Sequence, residues 1–205
     1  MNLIFDFDGT ICDNFDIVYI LATELLQKEG GVTISANEAR GKGTKKLISE
    51  SRIPKYKIPK LLLTARKRIA HEIPNLKPFK TLPTVIKELS KKHKLGIITS
   101  NSEENVTIFL KNHKLLQYFS FIRSEIDLFG KGKKLKKVIF KYNLKPEETI
   151  YIGDETRDIE AAKYADTKSV AVTWGYESEK LLKGQNSDYI AEKPQDLLKI
   201  FKFSS

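Results

Sequence analysis

A strand–helix rhythm that is broken once constrains this chain more than any other feature of its sequence. Apolar runs at 2–7, 95–99, 119–122, 149–152, 169–173 and 188–191 are short and bounded by polar or turn residues, which predicts strands. Most lack a strict polar alternation, as strands buried on both faces of a parallel sheet do. Stretches with helical spacing separate them. One is opened by Pro83 and runs to about residue 93, and one covers 103–112, where Ser102 can cap the free N–H groups. Two more cover 133–142 and 156–165. The alternation predicts an α/β fold, with a Rossmann-like three-layer α/β/α core around an open parallel sheet.

Between Phe15 and Pro78 the rhythm stops and only helical patterns remain. Residues 15–29 form one, stopped by Gly30 and Gly31. Ser35 with Glu38 three residues on has the form of a capping box for a second. Residues 44–50 and 61–72 complete the set, the last preceded by Pro59. The expected organisation is a core of residues 1–14 and 79–205, with a small helical cap of 15–78 inserted after the first strand and hinged near Asn14 and Pro78.

The chain has 205 residues, 40% of them apolar, enough for one core domain and an added module. Asp6, Asp8 and Asp13 interrupt the apolar start, and no run approaches the roughly 20 residues that span a bilayer. No membrane partner is expected. The single cysteine, Cys12, excludes a disulfide framework and reads as a small buried residue, so a cytoplasmic location is expected. The net charge of +10 would attract anions. It comes from 30 lysines and six arginines spread along the chain, which argues for solvated helix faces and against a nucleic-acid partner. The state expected is a monomer or homodimer.

Four clusters stand at strand ends, where open parallel sheets place their ligands. In Asp6-Phe7-Asp8-Gly9-Thr10, strand alternation would set two carboxylates on one side, and such a pair asks for a cation or a shared proton. Thr99-Ser100-Asn101-Ser102 brings hydroxyls, an amide and free N–H groups to a helix start, which suits a phosphate oxygen. Gly130-Lys131-Gly132-Lys133-Lys134 offers an ammonium. Lys131 is preferred as the earliest in the loop and the one between glycines, with Lys133 and Lys134 left open, as Thr99 is beside Ser100. Gly153-Asp154-Glu155-Thr156-Arg157-Asp158 adds a second acidic pair. An oxygen-only donor set without histidine or cysteine points to Mg²⁺ rather than zinc. Arg40-Gly41-Lys42-Gly43-Thr44 reads as a flexible loop between cap helices, where Arg40 and Lys42 could hold a second anionic group of a substrate. His71, His93 and His113 read as surface residues.

Taken together and in this order, the clusters resemble the haloacid dehalogenase superfamily. Asp6-Phe7-Asp8-Gly9-Thr10 is similar to its first motif, Ser100-Asn101 to its second, Lys131 to its third, and Gly153-Asp154 with Asp158 to its fourth. The segment Val172-Thr173-Trp174-Gly175-Tyr176 resembles phosphoglycolate-phosphatase-like members. The resemblance implies a phosphatase of small phosphorylated metabolites. Asp6 would be nucleophile and Asp8 general acid and base, with Thr10, Ser100, Asn101 and Lys131 around the phosphoryl group. Mg²⁺ would be held by Asp6, the Asp8 carbonyl and Asp154, and Asp158 would orient the lysine or a metal-bound water. The second aspartate of the first motif argues for phosphoryl rather than carbon–halogen chemistry. The proline that often follows the third-motif lysine is missing. A sugar-phosphate mutase, a phospho-acceptor signalling domain and a basic nucleic-acid-binding protein remain as rival readings.

Overall fold

The computed structural model describes residues 1–124 and 130–202. Strand β1 (Asn2–Phe5) leads through a turn to a two-residue strand β2 (Cys12–Asp13). Four helices follow: α1 (Phe15–Lys28), α2 (Ala36–Lys42), α3 (Thr44–Glu50) and α4 (Ile58–Glu72). After β3 (Lys77–Pro78) the chain alternates through α5 (Leu82–Ser90), β4 (Lys94–Thr99), α6 (Glu103–Asn112), β5 (Phe119–Ser124) and α7 (Lys131–Lys141). It ends with β6 (Thr149–Gly153), α8 (Thr156–Tyr164), β7 (Lys168–Val172), α9 (Glu179–Lys183), β8 (Tyr189–Ala191) and α10 (Asp196–Lys202).

Among the described residues, six strands form one sheet in the order β5-β4-β1-β6-β7-β8, with every pairing parallel. Because side chains alternate along a strand, β1 sends Leu3 and Phe5 to one face and Ile4 to the other. The first face packs under α5, α6 and α10 through Val85, Ile86, Phe109 and Leu197. The second packs under α7 and α8 through Leu135, Ile139 and Ala162, so the sheet is the middle of three layers. Each large side chain buried this way contributes roughly 1.5–3 kcal/mol by leaving water.

Strand order decides where a ligand can sit. From β1 the sheet grows toward β4 and β5 on one side, and from β6 toward β7 and β8 on the other. The loops leaving the adjacent β1 and β6 therefore diverge and open a crevice at their C-terminal ends.

The helical stretch α1–α4 lies between β2 and β3, which pair antiparallel through Cys12 with Pro78 and Asp13 with Lys77. Two-residue strands have no periodicity, so this ribbon is invisible in the sequence. Three local expectations differ from the structure. Strand β1 ends at Phe5, because the Phe7 N–H is taken by Asp6 Oδ1 at 2.7 Å and the chain turns. The segment 40–44 is not a loop: α2, capped by the Ser35–Glu38 box, runs through Lys42, and Gly43 alone, at φ 74°, separates it from α3. Of the histidines only His71 is exposed. His113 Nε2 lies 2.9 Å from Leu76 O, and half-buried His93 packs beside Phe201. Cys12 is fully buried. Among the described residues no helix is long and apolar enough to cross a membrane.

Candidate active site

The turn after β1 hangs on the neighbouring strand: Asp6 N–H donates to Ile152 O at 2.8 Å. Its side chain, 2% exposed, accepts from Lys131 Nζ through Oδ2 at 2.5 Å. Lys131 is the first residue of α7, only 8% exposed, and also donates to Asp158 Oδ1. The Tyr151 ring lies 5.3 Å from that ammonium. Burial alone would lower the lysine's pKa, but the Asp158 and Asp6 carboxylates outweigh it and hold the ammonium well above its usual range. Burial pushes Asp6 up to about 7, against the pull of Lys131.

Asp8 has a different environment. It accepts from Asn14 Nδ2 at 2.7 Å and from Asn101 Nδ2 at 3.1 Å, with no lysine or arginine within ion-pair distance among the described residues. Burial raises its pKa, and the two amides only partly offset this. Since β1 ends before both residues, strand alternation does not pair Asp6 with Asp8. Each is placed by its own partners, one on a lysine and one on amides. The two carboxyls thus stand in different surroundings, one against an ammonium and one against neutral amides, which is how paired acids are given different roles.

Asp154, at the end of β6, is wholly buried and accepts from Thr10 Oγ1 at 2.6 Å and from Tyr176 N–H at 2.7 Å. Burial first, then the Glu155, Asp158 and Asp6 carboxylates, push its pKa well up. Gly9 is required here. It stands at φ 72°, and a Cβ would strike the Asp154 carboxylate and come within 2.6 Å of the Tyr176 ring. A Cβ on Gly175 would meet Asp154 and the Gly9 carbonyl. The loop after β7 thus closes on the first turn, and Trp174 Nε1 donates to Thr10 O at 3.1 Å.

Four carboxylates, Asp6, Asp154, Glu155 and Asp158, share this buried region with two cations, Lys131 and Arg157, the latter paired with Glu155. Carboxyls outnumber cations and every donor is oxygen, so the residues fit a hard divalent cation. The three able to offer ligand atoms within 4.8 Å of one another are Asp6, Glu155 and Asp158. Asp8 and Asp154, counted with Asp6 and Asp158 in the sequence reading, are not brought into that group. Their carboxylates are engaged by Asn14 and Asn101, and by Thr10 and Tyr176.

The remaining residues divide. Thr99, 1% exposed, uses its hydroxyl to accept Asn101 N–H at 2.9 Å, while Ser100 is half-buried. Asn101 reaches Asp8. Arg40 and Lys42 are not brought to the carboxylates: Arg40 lies 3.6 Å over the Phe15 ring and donates to Gly175 O, and Lys42 is paired with Glu50 at 2.8 Å. Five residues that sequence reasoning missed stand here. Asn14 joins Asp8, Gly9 N–H and Tyr176 Oη. Glu155, Arg157 and Glu177 line the acidic side, and Arg66 reaches over from α4. Glu155 and Arg157 were visible within the fourth cluster; Asn14, Arg66 and Glu177 had no local signal.

A crevice at the switch point of a parallel sheet, holding a buried aspartate–lysine pair beside a second carboxyl, places the chain among enzymes with an open α/β sheet. Residues 3–172 match the haloacid dehalogenase-like hydrolase family, and the chain belongs to it. It is 29% identical over 200 residues to a phosphoglycolate phosphatase of Synechococcus elongatus, covering 96% of this chain and 94% of that one. It is 31% identical over 145 residues to the pyrophosphatase PpaX of Bacillus mycoides, covering 68% and 67%. In fold it is similar to a haloacid dehalogenase-like hydrolase of Streptococcus pneumoniae, with a TM-score of 0.80 at 23% identity over 98% and 97% of the chains. It is also similar to a predicted phosphatase of Clostridium acetobutylicum, with a TM-score of 0.84 at 21% identity over 98% of both.

Proposed function

We propose that the protein is a Mg²⁺-dependent phosphatase of small phosphorylated metabolites, phosphoglycolate-like, working in the cytosol through an aspartyl-phosphate on Asp6. The observation that carries the reading is Asp6 itself, a buried carboxyl just past the end of the central strand, gripped by Lys131 and followed two residues on by a second carboxyl, Asp8, held by the amides of Asn14 and Asn101.

Asp6 attacks phosphorus, the bond from phosphorus to the leaving oxygen breaks, and Asp8 gives that oxygen its proton. Asp8, now a carboxylate, takes a proton from water as the water oxygen bonds to phosphorus. The bond from phosphorus to Asp6 then breaks and the carboxylate returns. Such acid–base help contributes typically ~10²–10⁴-fold. Asp6, Glu155 and Asp158 would hold the divalent ion, with Asp154 and the Asp8 carbonyl added by family resemblance. When bound, the ion offsets repulsion between carboxylate and phosphate and stabilises charge in the transition state. Lys131 neutralises the phosphoryl oxygens as they accumulate charge, Asp158 fixes the lysine, and Thr10, Ser100 and Asn101 bound the same space. Residues 15–78 act as the cap that covers it, on a core of 1–14 and 79–205. The phosphoglycolate phosphatase and pyrophosphatase relatives support the substrate class, a phosphate carrying a second anionic group.

The test is phosphate release from p-nitrophenyl phosphate, phosphoglycolate, pyrophosphate and sugar phosphates, with Mg²⁺ and with EDTA, for the wild type and Asp6→Asn. Metal-dependent release that the substitution reduces by roughly 10⁴-fold or more is expected. A long-lived acyl-phosphate on Asp6 without turnover would move the reading to a mutase or phospho-acceptor.

A further inference from the structure

The two arginines of helix α4 have opposite fates. Arg68 is exposed and pairs with Glu24 of α1 at 2.9 Å, a surface pair that ties two helices of the insert together. Arg66 is half-buried and has no carboxylate within ion-pair distance among the described residues. Its Nη2 donates to the Ser124 hydroxyl at 2.9 Å, at the C-terminal end of β5. That hydroxyl donates onward to the Asn101 carbonyl at 2.6 Å, and the Asn101 amide reaches Asp8. The guanidinium is thereby fixed at the edge of the crevice, and Asp8 is the carboxylate whose charge acts on it.

A guanidinium carries five N–H donors in a planar fork. One position is occupied by a neutral hydroxyl, and no described acid stands within ion-pair distance of the guanidinium. Three other cations of the insert are committed elsewhere. Arg40 stacks on Phe15 and bonds Gly175, Lys42 pairs with Glu50, and Lys45 pairs with Glu160. A half-buried cation with no paired anion among the described residues, linked through Ser124 and Asn101 to the acid that protonates the leaving oxygen, lies where the leaving half of a substrate must be.

We propose that Arg66 determines specificity by taking the second anionic group of the substrate, a carboxylate on the leaving half, in a charge-assisted pair. The inference rests on the phosphatase reading and names what that reading leaves open. Its fork matches two carboxylate oxygens, which a lysine's point charge does not. Ser124 and the Asn101 carbonyl set the distance between that group and the phosphoryl site, so the preferred ester has a short spacer between phosphate and carboxylate.

Steady-state kinetics on phosphoglycolate and on ethyl phosphate, which lacks the carboxylate, test this in the wild type, Arg66→Gln and Arg66→Lys. The measure is the ratio of kcat/KM for the two substrates, which does not depend on how much of a variant is folded. In Arg66→Gln the ratio should fall roughly 10- to 100-fold, mostly through KM for phosphoglycolate, with Arg66→Lys in between. An equal loss on both substrates would make Arg66 a structural or phosphoryl-binding residue and overturn the inference, as would an unchanged ratio. If pyrophosphate, and not phosphoglycolate, shows the ratio change, the group taken is a second phosphoryl and the carboxylate assignment falls. A wild type that turns over none of these esters sinks the phosphatase reading itself, a result distinct from a lost ratio.

Discussion

The strand-end cluster and the seam between insert and core are both built from charged and polar side chains, yet they are held in opposite ways. At the strand ends Asp6, Lys131, Asp158 and Asp154 are at most 8% exposed and satisfy one another or nearby hydroxyl and backbone groups. At the seam the contacts are a handful of hydrogen bonds and one exposed ion pair, each with at least one partly exposed partner: Arg40 to Gly175, Thr44 to Glu155, Arg66 to Ser124 and Lys45 to Glu160. Helix α4 has no buried residue at all, whereas α5 buries Leu82, Val85, Ile86 and Leu89. On the proposed function, the chemistry would sit on the sheet and the recognition on the more lightly fastened insert. Bond making needs fixed geometry, and a substrate needs a way in.

The largest effect should come from breaking the buried pair. Lys131→Met leaves Asp6 and Asp158 without their ammonium, and breaking a buried pair from one side costs roughly 3–5 kcal/mol. Chemical denaturation of the metal-free protein at pH 8 should show that loss, and it should shrink toward pH 5 as Asp6, already raised to about 7, takes up its proton. An equally stable variant would mean that the cluster is no more tightly coupled than the seam.

Glu177 tests the boundary between the two regions. It is 3% exposed, accepts Thr156 N–H at 2.7 Å and Thr44 N–H at 3.3 Å, and burial with the Glu155 charge raises it from 4.5 to about 7. A carboxyl with a raised folded-state pKa stabilises the fold fully below the unfolded value and loses that contribution as pH rises through the folded one. Metal-free thermal stability should therefore decline between pH 4.5 and 7. Glu177→Gln should flatten part of that decline, by on the order of 3 kcal/mol at most. An unaltered pH profile in the variant would show that Glu177 does not carry it.

The smallest effect belongs to the seam's exposed pair. Lys45→Ala removes the contact with Glu160, both side chains about half exposed, and such pairs have a median worth near zero. Its melting curve should overlay that of the wild type. A clear loss would show that the seam is fastened as firmly as the cluster.

Much of the fold was legible because its signals are local. Period-2 and 3.6-residue patterns depend on neighbours a few positions away, and so do the Ser35–Glu38 capping box and the Ser102 cap, both present in the structure. The β2–β3 ribbon was not legible, since Cys12 and Pro78 meet across the whole insert and two residues carry no period. The helical path of Arg40 to Lys42 was misread because two glycines resemble a loop, although only Gly43 takes a positive φ.

The candidate site shows the same division. Its residue types and order along the chain came from the sequence alone, because acids, amides and lysines must stand where strands end if they are to meet an anion. Several features were decided only by tertiary structure. One is that Lys131 is the lysine in contact with Asp6 and Asp158, another is that Glu155 joins them while Asp154 turns to Thr10 and Tyr176, and a third is that Arg66 reaches the crevice. Each depends on how one helix is rotated and seated against a strand far away in sequence. That placement is set by the packing of whole faces, and no spacing within a single segment records it.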